Sequence, residues 1–191
     1  MRSFYGTFAY VTCPLVLRRF KQMMQVFVGS ELFSEVPAVE GTQVLLASDK
    51  TLSRDNKVYF EELDLEAKGD EPTRQVANEL ARKLFGENNK EVQVLLNRFA
   101  IVSDQVFDYF SETATEIAAR VRLDDATKTV AGSALWYEEF VPAESIFYGF
   151  VVHTKQLPEA QVALDELKVD GYLQIGGEAT IGRGLCRVVI Q

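Results

Sequence analysis

Gly176-Gly177-Glu178-Ala179-Thr180-Ile181-Gly182-Arg183-Gly184 sets four glycines within nine residues, between β-prone segments at Tyr172 to Ile175 and Leu185 to Ile190. The run therefore reads as a connection between two strands. Glycine supplies positive φ and lets the backbone approach a ligand closely. Successive backbone N–H groups in such a loop can cradle a phosphate without any side chain. The run lacks the Gly-Lys-Ser/Thr ending of a P-loop, and it does not open a long helix as a dinucleotide-binding loop does. On these residues alone a glycine-rich hairpin turn is the plainer reading, and a phosphate cradle is the alternative.

Upstream of the run, Pro158 to Leu167 reads as a helix with Val162, Leu164 and Leu167 on its apolar side, and Ile146 to Val152 as a strand. Ala119 to Asp124 alternates basic and apolar residues, the polar Asp125 to Lys128 follows, and Thr129 to Tyr137 is again β-prone. That pattern predicts a β-hairpin with a polar tip. Towards the N-terminus, Phe4 to Thr12 reads as a strand, and Pro14 opens a helix over Leu15 to Gln25. Val44 to Ala47 and Val58 to Leu65 read as further strands, with a polar turn at Thr51 to Lys57 between them. Asp70-Glu71-Pro72 opens a helix whose Val76, Leu80 and Leu84 share one face, and Gly86 to Asn89 ends it. Val92 to Val102 is a largely apolar segment that fits a buried helix or a strand alike. Ser103 caps a helix through Phe107, Phe110 and Ala114. No internal repeat is present. Strands with interspersed helices and an antiparallel end predict an α+β domain.

The chain has 191 residues, a formal charge of −8 and a sequence pI of about 4.8. Overall acidity weighs against a nucleic-acid partner, which needs local positive charge. The charges are segregated, however. Glu61, Glu62, Asp64, Glu66, Asp70 and Glu71 crowd one stretch, while Arg18, Arg19 and Lys21, then Arg120, Arg122 and Lys128, then Arg183 and Arg187 form basic groups elsewhere. For each basic group a solvated surface is the plain alternative to a phosphate contact. No apolar run reaches the roughly 18 residues that span a membrane, and no signal peptide is apparent. The two cysteines, Cys13 and Cys186, read as buried thiols in a reducing cytoplasm. One histidine, His153, and two distant cysteines exclude the usual zinc spacings, and no metal site is expected. His153 reads as a packed strand residue. Trp136 and Tyr137 behind the hairpin tip suit base stacking; the plainer expectation is that they anchor the hairpin in the core. Glu138 and Glu139 are the best carboxylates for acid–base chemistry, with simple surface charge as the alternative.

Four segments together resemble a known family. They are Tyr172 to Gly184; Phe8-Ala9-Tyr10-Val11-Thr12-Cys13-Pro14-Leu15-Val16-Leu17-Arg18-Arg19-Phe20; Val121 to Val130 followed by Ala134-Leu135-Trp136-Tyr137-Glu138-Glu139-Phe140-Val141-Pro142; and Phe147 to Val152. The combination resembles the RAMP-superfamily backbone subunit of the type III-B (Cmr) CRISPR effector complex, over roughly the C-terminal two-thirds of that subunit. The resemblance implies a ferredoxin-like, RNA-recognition-type α+β domain over 1–191, incomplete at the N-terminus by its first strand and helix. Within it, an inserted helical segment is expected at about 66–118 and a thumb β-hairpin at about 119–140.

The implied function is that of a CRISPR RNA-binding backbone subunit in an RNA-targeting antiviral complex. Its implied partners are CRISPR RNA, target RNA, the other Cmr subunits and copies of itself in a helical filament, in the cytoplasm and without a membrane. The implied RNA contacts are Arg18, Arg19, Arg120, Arg122, Lys128, Gly176, Gly177, Gly182, Arg183 and Gly184, with Glu138 as an accessory residue near the cleavage site. The family is a metal-dependent endoribonuclease, so a divalent metal is implied for cleavage. The histidine-and-glycine loop that carries its catalytic aspartate has no counterpart in this sequence. The tyrosine that often follows the two glutamates is Phe140 here. The chain alone is therefore expected to bind no metal and to be cleavage-incompetent. Two other readings remain: a self-sufficient metal-dependent ribonuclease using Glu138 and the 61–71 acidic stretch, and a protein-interaction module that mimics the subunit.

Overall fold

The computed structural model describes all residues except 88, 124–129, 152–158, 160, 161, 164, 167–170 and 191, and gives the backbone alone at 122, 123 and 130–134. The described chain forms two compact units, Met1–Tyr148 and Gly149–Gln191.

In the first unit, β1 (Arg2–Ser3), β2 (Thr7–Phe8), β3 (Tyr10–Thr12), β4 (Gln43–Leu46), β5 (Lys57–Phe60), β6 (Leu63–Gly69) and β7 (Phe99–Val102) build one sheet. The strand order is β2-β1-β5-β6-β4-β7-β3. Strands β4 and β6, and β3 and β7, run parallel; the other pairs are antiparallel. Seven strands spaced about 4.8 Å apart would separate the outer two by about 29 Å in a flat sheet. Yet β2 and β3 are joined by Ala9 alone, whose N–H donates to the Met1 carbonyl at 2.9 Å. Neighbouring Cα atoms lie only 3.8 Å apart, so the sheet must curl until its two ends meet in the segment Thr7–Thr12.

Curling gives the sheet an inside and an outside, and the period-2 alternation of side chains fills both. Val44 and Leu46, with Ala100 and Val102, point inward with Val58, Phe60 and Leu65. Leu45 and Ala47, with Phe99 and Ile101, point outward to Leu17, Val76, Ala81 and Leu95. These outer partners come from α1 (Pro14–Val28), α3 (Glu71–Phe85) and α4 (Lys90–Arg98). Leu52 of α2 (Asp49–Leu52) and Phe110 of α5 (Asp104–Thr113) join the inner cluster. Burial on both faces explains why Val44 to Leu46 of β4 and all of β7 are unbroken apolar runs.

The α+β expectation is met. Pro14 opens α1, Asp70 caps α3 through the Thr73 N–H at 2.9 Å, and Ser103 caps α5. The apolar run 92–102 is both things it resembles, helix α4 and then strand β7. The expected helical segment at 66–118 thus contains β7, which pairs with β4 and β3 in the sheet. Two expected single strands are hairpins instead. Phe4 to Thr12 begins in the turn between β1 and β2, where Gly6 and Thr7 have φ of 75° and 72°, and then runs into β2 and β3. Val58 to Leu65 is broken at Glu61-Glu62, with Glu61 at φ 49°. Arg2 holds that turn, its backbone N–H and Nε donating to the two Glu61 carboxylate oxygens at 2.7 and 3.0 Å. The turn expected at 51–57 begins inside the short helix α2, and Asp55 and Asn56 supply its left-handed residues.

The strand expected at Ile146 to Val152 is absent over 146–151, which are irregular. Pro142 and Glu144, at φ 64°, turn the chain here, and Tyr148 packs its ring on Phe20 with centroids 4.6 Å apart. Of the helix expected at Pro158 to Leu167, the described residues 159, 162, 163, 165 and 166 are helical; the other five, and His153, lie outside the described residues.

Strands β8 (Glu116–Leu123) and β9 (Val130–Phe140) form a separate antiparallel pair, as the hairpin pattern predicts. In the second unit, β10 (Tyr172–Gln174) and β11 (Leu185–Arg187) pair antiparallel around the glycine run.

Candidate nucleic-acid interface

The glycine run joins β10 to β11 through a single 3-10 turn at Ala179–Ile181. Gly176, Glu178, Gly182 and Gly184 all have positive φ, between 61° and 87°. Gly184 is required by space as well. A Cβ there would collide with the Ile175 carbonyl oxygen and lie 2.7 Å from Gln174 Nε2. Ile175 N–H donates to the Gly184 carbonyl at 2.9 Å, and Gln174 Nε2 donates to the Arg183 carbonyl at 2.6 Å. Gly177 has an ordinary φ and open space where its Cβ would be. The loop is thus a hairpin connection, with four left-handed residues that turn its backbone outward from two short strands.

The β8–β9 hairpin carries the second group. Its register places Arg120 opposite Trp136 and Ala118 opposite Glu138. Strand periodicity puts these four on one face and Ile117, Val121, Leu135 and Tyr137 on the other. All four of the latter are exposed. The expectation that Trp136 and Tyr137 anchor the hairpin in the core fails: they are 44% and 69% exposed. Among the described residues β8 and β9 pair only with each other, and both rings reach solvent. Glu138 binds two donors at once, Arg120 Nε at 2.9 Å on Oε2 and Trp136 Nε1 at 2.8 Å on Oε1. Arg122 is described in backbone only, within β8, and Lys128 lies outside the described residues.

Arg18 and Arg19 stand exposed on α1. Arg18 Nη2 lies 3.2 Å from Asp104 Oδ2, while Asp104 Oδ1 accepts the Leu15 N–H at 2.8 Å. An exposed pair of this kind is worth at most about 1 kcal/mol, so a phosphate can compete for Arg18. Of the expected contacts, then, the structure joins Arg120 to Glu138 directly. Arg18 and Arg19 are carried by α1, and the glycine run with Arg183 belongs to the second unit.

The acidic stretch does not gather. Glu61 is held by Arg2, Asp64 is 2.9 Å from Lys57 Nζ, and Asp70 caps α3. Among the described residues no three His, Cys, Asp or Glu side chains converge as metal ligands. Both Glu138 oxygens accept N–H donors, one of them from the Arg120 guanidinium. Among the described residues, then, no group fits the divalent metal that the resemblance implies.

The sequence profile of the RAMP superfamily matches residues 26–187. The chain belongs to the RAMP superfamily. It is 36% identical to the CRISPR system Cmr endoribonuclease Cmr4 of Pyrococcus furiosus, over 100% of this chain and 65% of the relative. A second relative, the CRISPR system CMR subunit Cmr4 of Saccharolobus solfataricus, is 35% identical over 66 residues, 35% of this chain and 21% of that one. Oligomeric Cmr4 from Pyrococcus furiosus superposes with a TM-score of 0.63 at 28% identity, over 96% of this chain and 65% of that chain. The type III-B Cmr-beta complex bound to cognate target RNA shares the fold, with a TM-score of 0.60 at 19% identity over 93% of this chain and 59% of that one. The chain spans about 65% of the length of the Pyrococcus relative.

The RAMP match includes the β8–β9 hairpin, the glycine run and β11, whereas Arg18 and Arg19 precede it. No helix among the described residues is long and apolar enough to cross a membrane. The link between Trp136 and Glu138 was missed in the sequence, although two residues apart on a strand is the spacing that places them on one face. Asp104 as partner of Arg18 has no local signal, since 86 residues separate them.

Proposed function

We propose that this chain is the RNA-holding part of a backbone subunit in an RNA-targeting CRISPR effector of the Cmr kind. On this reading the RNA-recognition-type domain contacts guide-RNA backbone through Gly176, Gly177, Gly182, Arg183 and Gly184. The β8–β9 hairpin is its thumb, with Arg120, Arg122 and Lys128 on or near it, and Arg18 and Arg19 add positive charge from α1. CRISPR RNA, target RNA, other Cmr subunits and copies of itself in a helical filament are its partners. The observation that carries the reading is the 36% identity along the whole chain to a protein named as a Cmr endoribonuclease. Recognition by backbone cradle and cations implies binding set by phosphate rather than base sequence.

The test is fluorescence anisotropy with a labelled single-stranded RNA and the 191-residue chain, titrated from 50 to 200 mM salt. Affinity should fall linearly on a log–log plot, with a slope of about −0.7 per phosphate contacted. Absence of binding at 50 mM salt refutes the reading. Incubation with Mg²⁺ or Mn²⁺ should leave the RNA intact. Cleavage by this chain that is lost in Glu138→Gln would instead support the self-sufficient ribonuclease.

A further inference from the structure

The face of the β8–β9 hairpin that carries Glu138 is built around one carboxylate. Trp136 and Glu138 are two apart on β9, so their side chains leave the strand on the same side. Arg120 sits directly opposite Trp136, and Glu138 is opposite Ala118. A small residue at 118 leaves the diagonal open, so Arg120 reaches across the ladder to Glu138 rather than along it. The carboxylate then spans both neighbours, accepting Arg120 Nε at 2.9 Å and Trp136 Nε1 at 2.8 Å. The ion pair is half sheltered, with Arg120 and Glu138 side chains 30% and 24% exposed. Trp136 remains 44% exposed although its only polar atom is bonded. Its hydrogen-bonding edge is thereby fixed while part of its ring faces solvent.

A free arginine and a free tryptophan each lose rotamer freedom when they bind a ligand. Here one carboxylate has already fixed both, and fixed them side by side. A cation next to an exposed aromatic ring is the pairing that single-stranded nucleic acid meets, with phosphate on the cation and an unpaired base on the ring. We infer that Glu138 is a positioning residue, holding Arg120 and Trp136 as one cation-and-ring contact for a single-stranded RNA nucleotide. This rests on the reading of the chain as an RNA binder. It gives Glu138 a task apart from proton transfer, and it gives Trp136 the stacking surface. Glu138 brings negative charge close to RNA, so a purely electrostatic account makes the opposite prediction, namely that neutralising it tightens binding.

The experiment uses the full chain and a 5′-fluorescein oligouridylate read by anisotropy, with an unlabelled oligouridylate and an abasic oligomer of equal length read by emission of Trp136, the only tryptophan. Oligouridylate is expected to quench Trp136 and the abasic oligomer to leave it largely unquenched. Glu138→Gln keeps the side-chain size but offers one acceptor to two donors. It should shift the emission of RNA-free protein and weaken RNA binding about tenfold. Arg120→Lys keeps the charge but removes Nε, and should weaken binding comparably. The double variant should be little worse than either single one, because coupled residues do not add.

If Glu138→Gln is poorly folded, Arg120→Lys carries the test alone. No RNA binding by the parent chain overturns the functional reading and the inference with it. If the parent binds RNA by anisotropy but its Trp136 emission is unchanged at saturation, the functional reading stands and the inference falls. The same holds if either variant binds as tightly as the parent or more tightly.

Discussion

Alanine substitutions along the glycine run should have costs graded by position, and the grading is fixed by local geometry. At Gly177 the φ is ordinary and nothing lies within 4 Å of an added Cβ. Gly177→Ala should change stability by less than about 0.5 kcal/mol. At Gly176 and Gly182 the space is open, but φ is 87° and 79°, so alanine incurs only the left-handed penalty of about 1 kcal/mol. At Gly184, φ is 71° and the new Cβ meets both the Ile175 carbonyl and Gln174 Nε2. Relieving that overlap means parting the Ile175 N–H from the Gly184 carbonyl, and the summed cost should reach about 2–3 kcal/mol. Among the described residues, three residue pairs and a flanking backbone hydrogen bond at each end hold β10 to β11, and an isolated two-stranded hairpin is marginally stable. The loss should therefore open this hairpin locally and leave the first unit folded.

Amide hydrogen exchange resolved to residues is the assay. In Gly184→Ala the amides of Ile175 and Val188 should lose protection by at least about tenfold, which is 1.4 kcal/mol, while amides of β4 and β7 keep theirs. Equal protection in Gly177→Ala and Gly184→Ala would refute the reasoning, because it would mean that the left-handed backbone and the close approach at Gly184 do not exist in solution. Under the proposed function the same series should weaken RNA binding in the same order.

Two further outcomes test the frame that carries the interface. Asp70→Ala removes the α3 cap and strands the fully buried Thr73 hydroxyl, which donates to Asp70 at 2.7 Å; urea unfolding should show a loss of about 2 kcal/mol, with much of it restored in Asp70→Asn. Burial raises the Cys13 thiol pKa above its ordinary 9.0 and, as the first cause, the Tyr10 hydroxyl above its ordinary 10.0, with Glu144 adding to the latter. Both groups hold their protons more tightly folded than unfolded, so the stability they contribute is complete below pH 9 and is lost as pH rises through their folded values. The urea midpoint should fall between pH 9 and 11, and at pH 8 a thiol reagent should label Cys186 well before Cys13.

What the sequence revealed depended on how local each determinant is. Asp70-Glu71-Pro72 and Ser103 announce α3 and α5 because a cap and its N–H partner lie within three residues. The glycine run and the alternation at Ala119 to Tyr137 announce their hairpins for the same reason. The turn at Glu61-Glu62 is silent, because it contains no glycine or asparagine and is held by Arg2, 59 residues away. The run 92–102 gave no single answer because it joins the end of a partly exposed helix to a strand, Phe99–Val102, whose burial on both faces erases the alternation that marks a strand. Exposure of Trp136 and Tyr137 was also hidden: an aromatic strand reads as core until its place outside the main sheet is known. Glu138 was singled out for its carboxylate, while its two donors emerge only from the register of β8 against β9.

The segment Thr7–Thr12, where the two ends of the sheet meet, sets a schedule for the nascent chain. Its first half pairs with Arg2 and Ser3 at once, but Tyr10 to Thr12 must wait for Phe99 to Ile101. At a synthesis rate of about 5–20 residues per second, that partner emerges from the ribosome roughly 5–20 seconds later. Throughout that interval an aromatic, β-prone stretch is without its neighbour. Tyr10 to Thr12 are thus made well before Phe99 to Ile101 and are secured only when those residues arrive, so a ribosome-associated chaperone would find them before their partner strand does.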